Sequence, residues 1–140
     1  MAAIDLPERL QRYPTRAAID SLAARLGLRN EPNMQDWEWE VADPARLDEF
    51  ISTYRDPELS EDERFTLMET IIQSCEDLGD GLSDDGRWGE VRALLEEHID
   101  LHICSVWYWA SLETDLVDAW QVSPFMRGLV AKYRRRFVAG

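Results

Sequence analysis

The fold class depends on the stretch RWGEVRALLEEHIDLHICSVWYWASLE, residues 87–113, which contains two competing hydrophobic patterns. The part up to His98 repeats its apolar residues at helical spacing, whereas residues 99–103 alternate apolar and polar side chains as a strand does. No Gly or Pro follows Gly89 in this stretch, and no second well-patterned strand lies nearby in the sequence. The stretch therefore predicts two helices, with a break near Asp100.

Helix signals dominate the rest of the chain as well. An apolar stripe at helical spacing follows Pro14 and stops at Gly27, a residue that suits a helix C-terminus. Ser60 and Glu63 match the S-x-x-E capping box, in which each side chain satisfies a backbone donor of the first turn. The helix that they open should end near the turn-forming segment GDGLSDDG, residues 79–86.

Two further helices begin with a capping residue followed by proline. Asp43 precedes Pro44, and Ser123 precedes Pro124 at the start of a helix whose C-terminal arginines suit the helix dipole. The prediction is an all-α fold of about five to six helices in antiparallel pairs, arranged as a bundle or in a HEAT-like manner, forming a single domain over residues 1–140.

The segment DWEWEVA, residues 36–42, is the exception to the helical pattern. Trp37 and Trp39 alternate with Glu38 and Glu40, which predicts an extended segment with both indoles packed inward and both glutamates facing solvent.

This segment also supports an alternative fold. An α+β fold would pair strands from residues 36–42, 99–109 and 119–122 in a small sheet.

The charge distribution restricts the classes of partner. The net charge is −13, and residues 31–100 contain twenty-two acidic residues against five Arg. Such a field repels phosphate backbones and anionic lipids and favours a basic protein partner, so neither nucleic-acid nor membrane binding is expected. No apolar run has the length of a signal peptide or a membrane span, which predicts a cytoplasmic protein.

No motif predicts a metal, a cofactor or a catalytic residue. His98 and His102 are spaced as a metal pair on one helix would be, but Ile99 stands where the H-E-x-x-H motif needs glutamate. A calcium loop starting at Asp80 is broken by Leu82. The chain contains no glycine-rich phosphate loop, no nucleophile elbow and no C-x-x-C pair.

The two cysteines and the densest aromatic cluster favour structural roles. Cys75 and Cys104 lie in apolar surroundings, which is typical of buried thiols. Trp107, Tyr108 and Trp109 span about 200° of a helix, so all three cannot share one narrow face. One of them is therefore expected to lie between the core and a neighbouring element or partner.

The succession DWEWEVADPARLDEFISTY, ERFTLMETIIQS, VRALLEEHIDLH, VWYWAS and SPFMRGLVAKY, within residues 36–133, resembles small acidic bacterial proteins of unknown function. In size, acidity and rhythm of helix pairs it is similar to some immunity proteins of bacterial toxin systems. The resemblance implies a HEAT-like or bundle arrangement of helices. It also implies a role in binding and neutralising a cationic toxin domain.

The function predicted from these observations is a non-catalytic, acidic protein-binding domain, possessing partner-binding residues in its acidic middle segment: Glu38, Glu40, Asp80, Asp84 and Asp85. One alternative is a small enzyme with an aromatic and carboxylate-lined pocket. Another is a structural or adaptor subunit that associates through an apolar patch. The sequence leaves the oligomeric state open.

Overall fold

A computed structural model of the chain describes residues 6–138 and contains only helices, turns and irregular segments over that range. The all-α prediction is confirmed, and the alternative sheet does not form. The described residues contain seven α-helices: α1 (Arg16–Leu26), α2 (Trp37–Glu40), α3 (Leu47–Tyr54), α4 (Glu61–Glu76), α5 (Gly86–Glu97), α6 (Ile99–Ala110) and α7 (Ser123–Phe137).

The helices belong to two compact units. Within the described residues, unit 1 comprises residues 6–12 and 99–138, and unit 2 comprises Tyr13–His98. The expectation of a single domain over residues 1–140 remains a prediction.

Helix α4 is the central element of unit 2. Residues 65–72 are all buried, including three polar ones, and α4 contacts α1, α2, α3 and α5. A helix that is buried on every side needs partners on every side, and the four surrounding helices supply them. The predicted capping box is present, because Ser60 Oγ accepts from the Glu63 amide at 3.1 Å and Glu63 Oε1 accepts from the Ser60 amide at 2.9 Å.

The predicted end of α1 at Gly27 is confirmed, and the structure adds the residue that caps its start. Thr15 Oγ1 accepts from the amide of Ala18 at 3.1 Å at the N-terminus. Gly27 ends the helix in the left-handed conformation, with φ of 64°, which residues with a Cβ adopt at a cost.

The predicted break between the two helices of residues 87–113 lies at His98. Helix α5 ends at Glu97 and α6 begins at Ile99. The alternation of residues 99–103 is therefore helical in the structure, where His102 and Ile103 are both buried. Alternation over five residues does not separate a strand from a helix that is buried on more than one side.

Two predicted helix starts differ in detail. Asp43 does accept from the amide of Ala45 at 3.0 Å, but the residues that follow form a 3-10 turn and the α-helix itself begins at Leu47. Ser123 is the first residue of α7 and not its cap. Its hydroxyl instead donates to the carbonyl oxygen of Trp109 at 2.8 Å, within unit 1.

Unit 1 consists mainly of the helix pair α6 and α7, which pack against each other. Arg9, in a short 3-10 helix near the start of the chain, donates to the carbonyl oxygen of Phe137 at 3.0 Å. This bond ties the N-terminal segment to the last turn of α7.

Candidate functional site

The residues predicted to form an extended segment at 36–42 instead form the single helical turn α2. The Trp39 amide donates to the Asp36 carbonyl oxygen and the Val41 amide to that of Trp37, which is a helical pattern. Trp37 is buried as predicted, and its Nε1 donates to the carbonyl oxygen of Arg29 at 2.6 Å. Glu38 is buried too, with 9% of its surface exposed, so the prediction that it faces solvent is wrong.

A polar stripe on α4 holds this turn in place. Thr70 and Ser74 are four positions apart and so are neighbours on one face of α4, and Glu69 lies about 100° around the helix from Thr70. Thr70 Oγ1 donates to the Glu38 carbonyl oxygen at 2.6 Å, and Trp39 Nε1 donates to Glu69 Oε2 at 2.9 Å. The turn is thus fixed to the central helix of unit 2 through buried hydrogen bonds.

The same stripe continues toward the end of the turn. The Asp43 amide donates to Ser74 Oγ at 3.0 Å, and that hydroxyl donates to the Thr70 carbonyl oxygen at 2.8 Å. Backbone and side-chain donors of the segment therefore find acceptors on one helix, as buried polar groups require.

Glu38 carries a carboxyl group in unfavourable surroundings. Burial raises the pKa of this carboxyl above its ordinary value, and the carboxylates of Glu69, Asp36 and Glu40 raise it further. The charged groups that act on it are all acidic. The Glu69 carboxyl group accepts from the indole of Trp39, whereas the Thr70 hydroxyl donates to the backbone of Glu38, and both bonds hold the turn on α4.

The predicted acidic residues of the 79–85 segment lie on a short 3-10 helix, Gly79–Asp84, and the residue after it. Asp80 and Asp84 are exposed, and their side chains form no hydrogen bond or ion pair with any residue that the structure describes. Asp85 differs, because it caps α5 by accepting from the amide of Arg87 at 2.9 Å.

Asp85 also forms an ion pair with Arg87, at 2.7 Å between Nη2 and Oδ2. The side-chain and backbone donors of Arg87 lower the pKa of Asp85 to about 2. Of the five predicted contact residues, Asp80, Asp84 and Glu40 are exposed, and Glu40 Oε2 accepts from the amide of Asp36 at 3.0 Å. Asp85 caps α5 and Glu38 is buried.

The structure places the negative charge in unit 2. This unit contains twenty-two acidic residues and eight Arg, a net charge of −14, whereas residues 6–12 and 99–138 of unit 1 contain five acidic and seven basic residues. Six of the eight Arg already pair with a carboxylate of the same unit, in the pairs Arg16–Asp20, Arg25–Asp56, Arg29–Glu31, Arg46–Glu49, Arg55–Glu90 and Arg87–Asp85. Little positive charge remains in unit 2 to neutralise Asp80 and Asp84.

Comparison with protein-family models, with curated proteins and with solved structures finds no match to this chain. No helix within residues 6–138 is long and apolar enough to cross a membrane.

The two histidines do not form the pair that their spacing suggests. His98 is the C-terminal capping residue of α5, whereas His102 lies within α6, so the two do not share a helix. His98 Nδ1 is hydrogen-bonded to the hydroxyl of Tyr54 at 2.9 Å, within unit 2. Over the described range, no three His, Cys, Asp or Glu side chains are grouped as a metal site would need.

Both cysteines are thiols in the structure. Cys75 is buried in α4, and burial raises its pKa to about 12, which leaves it protonated at neutral pH. Cys104 is half-buried, and its Sγ accepts from the amide of Arg12 at 3.4 Å in unit 1. These environments favour the structural role that the sequence predicts.

The aromatic cluster of α6 is divided between the interior and the surface. Trp107 and Trp109 are buried, whereas Tyr108 is exposed and stacks on Trp120, with 5.3 Å between the ring centroids. Trp120 also contacts Trp109, at 4.7 Å between centroids. As expected, the three adjacent aromatic residues do not share one face.

Two features of the fold were not predicted from the sequence. One is the burial of Glu69, whose only sequence signal is its position inside the apolar run FTLMETII. The other is the exposure of Leu116 and Val117, two apolar residues between acidic ones in ETDLVD. Glutamate is usually exposed and leucine and valine are usually buried, so both features reverse the usual burial of the residue type. Such reversals are informative about function.

Proposed function

We propose that this protein is a non-catalytic, acidic protein-binding domain of the cytoplasm whose partner is a basic protein domain. The observation that supports the proposal is the division of charge, with a net −14 in unit 2 and most of its arginines already paired. The remaining carboxylates create a negative potential that attracts a basic surface and increases the rate of association.

The contact surface that we propose contains Asp80 and Asp84, with Glu40 as a further member. Asp80 and Asp84 are exposed on the 3-10 helix that follows the buried helix α4. Their carboxylates do not have to leave an intramolecular partner in order to bind one. Glu38 is withdrawn from the proposed surface because it is buried.

The more specific form of the proposal is an immunity-type role. Proteins that cleave or modify nucleic acid need basic grooves to bind phosphate backbones. An acidic domain that occupies such a groove would block it by charge complementarity, without any chemistry of its own. This mode of inhibition requires a surface of exposed carboxylates and no catalytic residues.

The test is affinity capture with the purified protein from a lysate of the source organism, followed by mass spectrometry. We expect a basic protein to be retained at low salt and released at high salt, because exposed charges are screened within about 10 Å at 0.1 M salt. Growth of cells that produce the captured protein, with and without this chain, then tests the immunity-type role.

The double variant Asp80→Asn/Asp84→Asn should retain less of the basic protein. Its matched control is Glu58→Gln/Glu97→Gln, which removes two exposed negative charges elsewhere in unit 2. Equal losses in both variants would show that only net charge matters and would contradict the proposed surface. The proposal as a whole fails if the unsubstituted protein retains no basic protein at low salt.

A further inference from the structure

Most of the large exposed apolar side chains lie in the last turn of α6 and in the connection that follows it. The described residues contain four large hydrophobic side chains that are classed as exposed, and three of them lie within ten positions: Tyr108 at 47%, Leu116 at 50% and Val117 at 89% exposure. We refer to Tyr108, Leu116 and Val117 as the 108–117 patch. Clusters of exposed apolar residues of this kind mark interaction sites more often than scattered ones do.

The backbone that carries this patch is held firmly. The guanidinium group of Arg127 donates to three carbonyl oxygens, those of Ala110 and Ser111 at 2.7 and 2.5 Å and that of Thr114. The Trp120 amide donates to Ser123 Oγ at 3.1 Å, which fixes the other end of the connection between α6 and α7. Val117 is therefore exposed on a connection whose two ends are hydrogen-bonded to α7.

The ring of Tyr108, one residue of the patch, packs against other aromatic rings. Tyr108 stacks on Trp120 at an interplanar angle of 25°, and Trp120 contacts the buried ring of Trp109. A partner that covers Tyr108 would meet a ring that is already ordered, so little side-chain entropy is lost on binding. Tyr and Trp are enriched among the residues that contribute most to protein interfaces.

Acidic residues flank Leu116 and Val117 in the sequence. Glu113, Asp115 and Asp118 are exposed, and their side chains form no hydrogen bond or ion pair within residues 6–138. No Lys or Arg occurs in the sequence from residue 93 to residue 126. A protein interface usually has an apolar centre and a polar rim, and here the charged residues of the connection between α6 and α7 are all acidic.

We propose that the 108–117 patch docks the apolar face of a basic amphipathic helix from a partner protein. The apolar residues of such a helix would cover Leu116, Val117 and the ring of Tyr108. Its Lys or Arg side chains would pair with Glu113, Asp115 and Asp118. A second copy of this chain that met the patch with its own patch would bring two sets of three carboxylates together, and their mutual repulsion disfavours that arrangement.

This inference does not depend on the proposed function. The 108–117 patch lies in unit 1, whereas Asp80 and Asp84 lie in unit 2. Either surface can fail without the other, and the variants below distinguish the two.

The probe is a synthetic, fluorescently labelled helical peptide with leucine along one face and lysine elsewhere. Binding is measured by fluorescence anisotropy at low salt, and the site is located from amide shifts of the isotope-labelled protein. We expect the shifts to be centred on residues 108–120. The variant Leu116→Ser/Val117→Ser removes exposed apolar surface without changing charge, and it should weaken binding by about tenfold or more.

Three further variants and a second peptide test the inference. Tyr13→Ser removes the fourth exposed apolar side chain, in unit 2, and should leave binding unchanged. Asp115→Asn/Asp118→Asn should weaken binding and reduce its dependence on salt, whereas Asp80→Asn/Asp84→Asn should not. A peptide with serine in place of leucine should bind weakly.

Several results would overturn the inference. Binding that survives Leu116→Ser/Val117→Ser but is lost in Asp80→Asn/Asp84→Asn would place the peptide on unit 2, in agreement with the proposed function alone. Equal binding of a peptide with glutamine in place of lysine would contradict the basic partner. A dimer in sedimentation experiments that dissociates in Leu116→Ser/Val117→Ser would assign the patch to a second copy of the chain.

Discussion

Trp39 Nε1 donates a hydrogen bond of 2.9 Å to Glu69 Oε2, and through it the single turn α2 is joined to the central helix of unit 2. Glu69 is buried within an otherwise largely apolar helix. A buried carboxylate is stable only where donors compensate for the water that it has lost. The indole of Trp39 supplies one such donor.

Replacement of Trp39 by Phe should therefore destabilise the protein by about 1.5 to 3 kcal/mol, the range for a lost hydrogen bond to a charged group. Chemical denaturation of Trp39→Phe, Glu69→Gln and the double variant measures the coupling between the two side chains. We expect a coupling free energy of about 0.5 kcal/mol or more. Additive effects of the two substitutions would contradict a role for this bond.

Glu38 predicts an unusual dependence of stability on pH. Burial raises the pKa of its carboxyl above the unfolded value, and Glu69, Asp36 and Glu40 add to this effect. The folded state therefore holds the proton more tightly than the unfolded state, so this group lowers the free energy of unfolding as pH rises from the unfolded pKa through the folded one. Its penalty is fully present above the folded pKa.

The variant Glu38→Gln should accordingly be more stable than the unsubstituted protein at pH 7, and the difference should shrink as pH falls toward the unfolded pKa of about 4.3. Thermal denaturation at several pH values measures this. Glu40→Gln, on the same turn but exposed, is the matched control and should show a smaller gain. A gain for Glu38→Gln that does not change with pH would rule out titration of Glu38 as its cause.

Local signals in the sequence were sufficient for several helix ends, although not for the turn α2 or for the starts of α3 and α7. The capping box of Ser60 and Glu63 and the stop at Gly27 involve contacts within one helical turn, so their residues specify them without reference to the rest of the chain. The break near Asp100 lies within two residues of the observed one at His98. Such features depend on hydrogen bonds between residues that are close in sequence, so a sequence pattern predicts them.

The environment of Glu38 could not be obtained in the same way. Whether this glutamate is buried depends on where the turn α2 meets α4, and the bond from Thr70 to the Glu38 carbonyl oxygen joins residues thirty-two positions apart. Alternating letters such as DWEWEVA fit a strand and also a short turn, because so few residues do not define a period. The bonds of Arg127 to the carbonyl oxygens of Ala110 and Ser111 likewise join residues that are sixteen or more positions apart, so local sequence patterns do not predict them.

Asp84 and Asp85 are adjacent in sequence but should respond differently to substitution. Asp85 caps α5 and pairs with Arg87, so Asp85→Ala should reduce the free energy of unfolding by about 1 to 2 kcal/mol. Asp84→Ala should change it by less than about 0.5 kcal/mol, because its side chain is exposed and makes no described contact. Urea denaturation of the two variants and of the unsubstituted protein measures these differences in the free energy of unfolding.

The pKa of Asp85, about 2, adds a test by pH. A lowered folded pKa means that the stabilisation is present above the unfolded pKa of about 3.9 and is lost as pH falls through the folded one. The difference in stability between Asp85→Ala and the unsubstituted protein should therefore decrease below pH 4. If Asp84→Ala proved the more destabilising variant, the assignment of Asp84 to a contact surface would have to be abandoned.

Arg127 should be the residue that orders the connection between α6 and α7. Its guanidinium group donates to the carbonyl oxygens of Ala110, Ser111 and Thr114, so Arg127→Ala leaves three acceptors of a helix end without their donor and should destabilise unit 1 by about 2 to 3 kcal/mol. Arg127→Lys keeps the charge but loses the planar fork, and we expect an intermediate effect. Arg135→Ala, which removes an exposed arginine from the same helix, is the matched control. Hydrogen exchange of residues 111–120 should increase in Arg127→Ala and remain unchanged in Arg135→Ala; equal exchange in both would show that other contacts hold the connection.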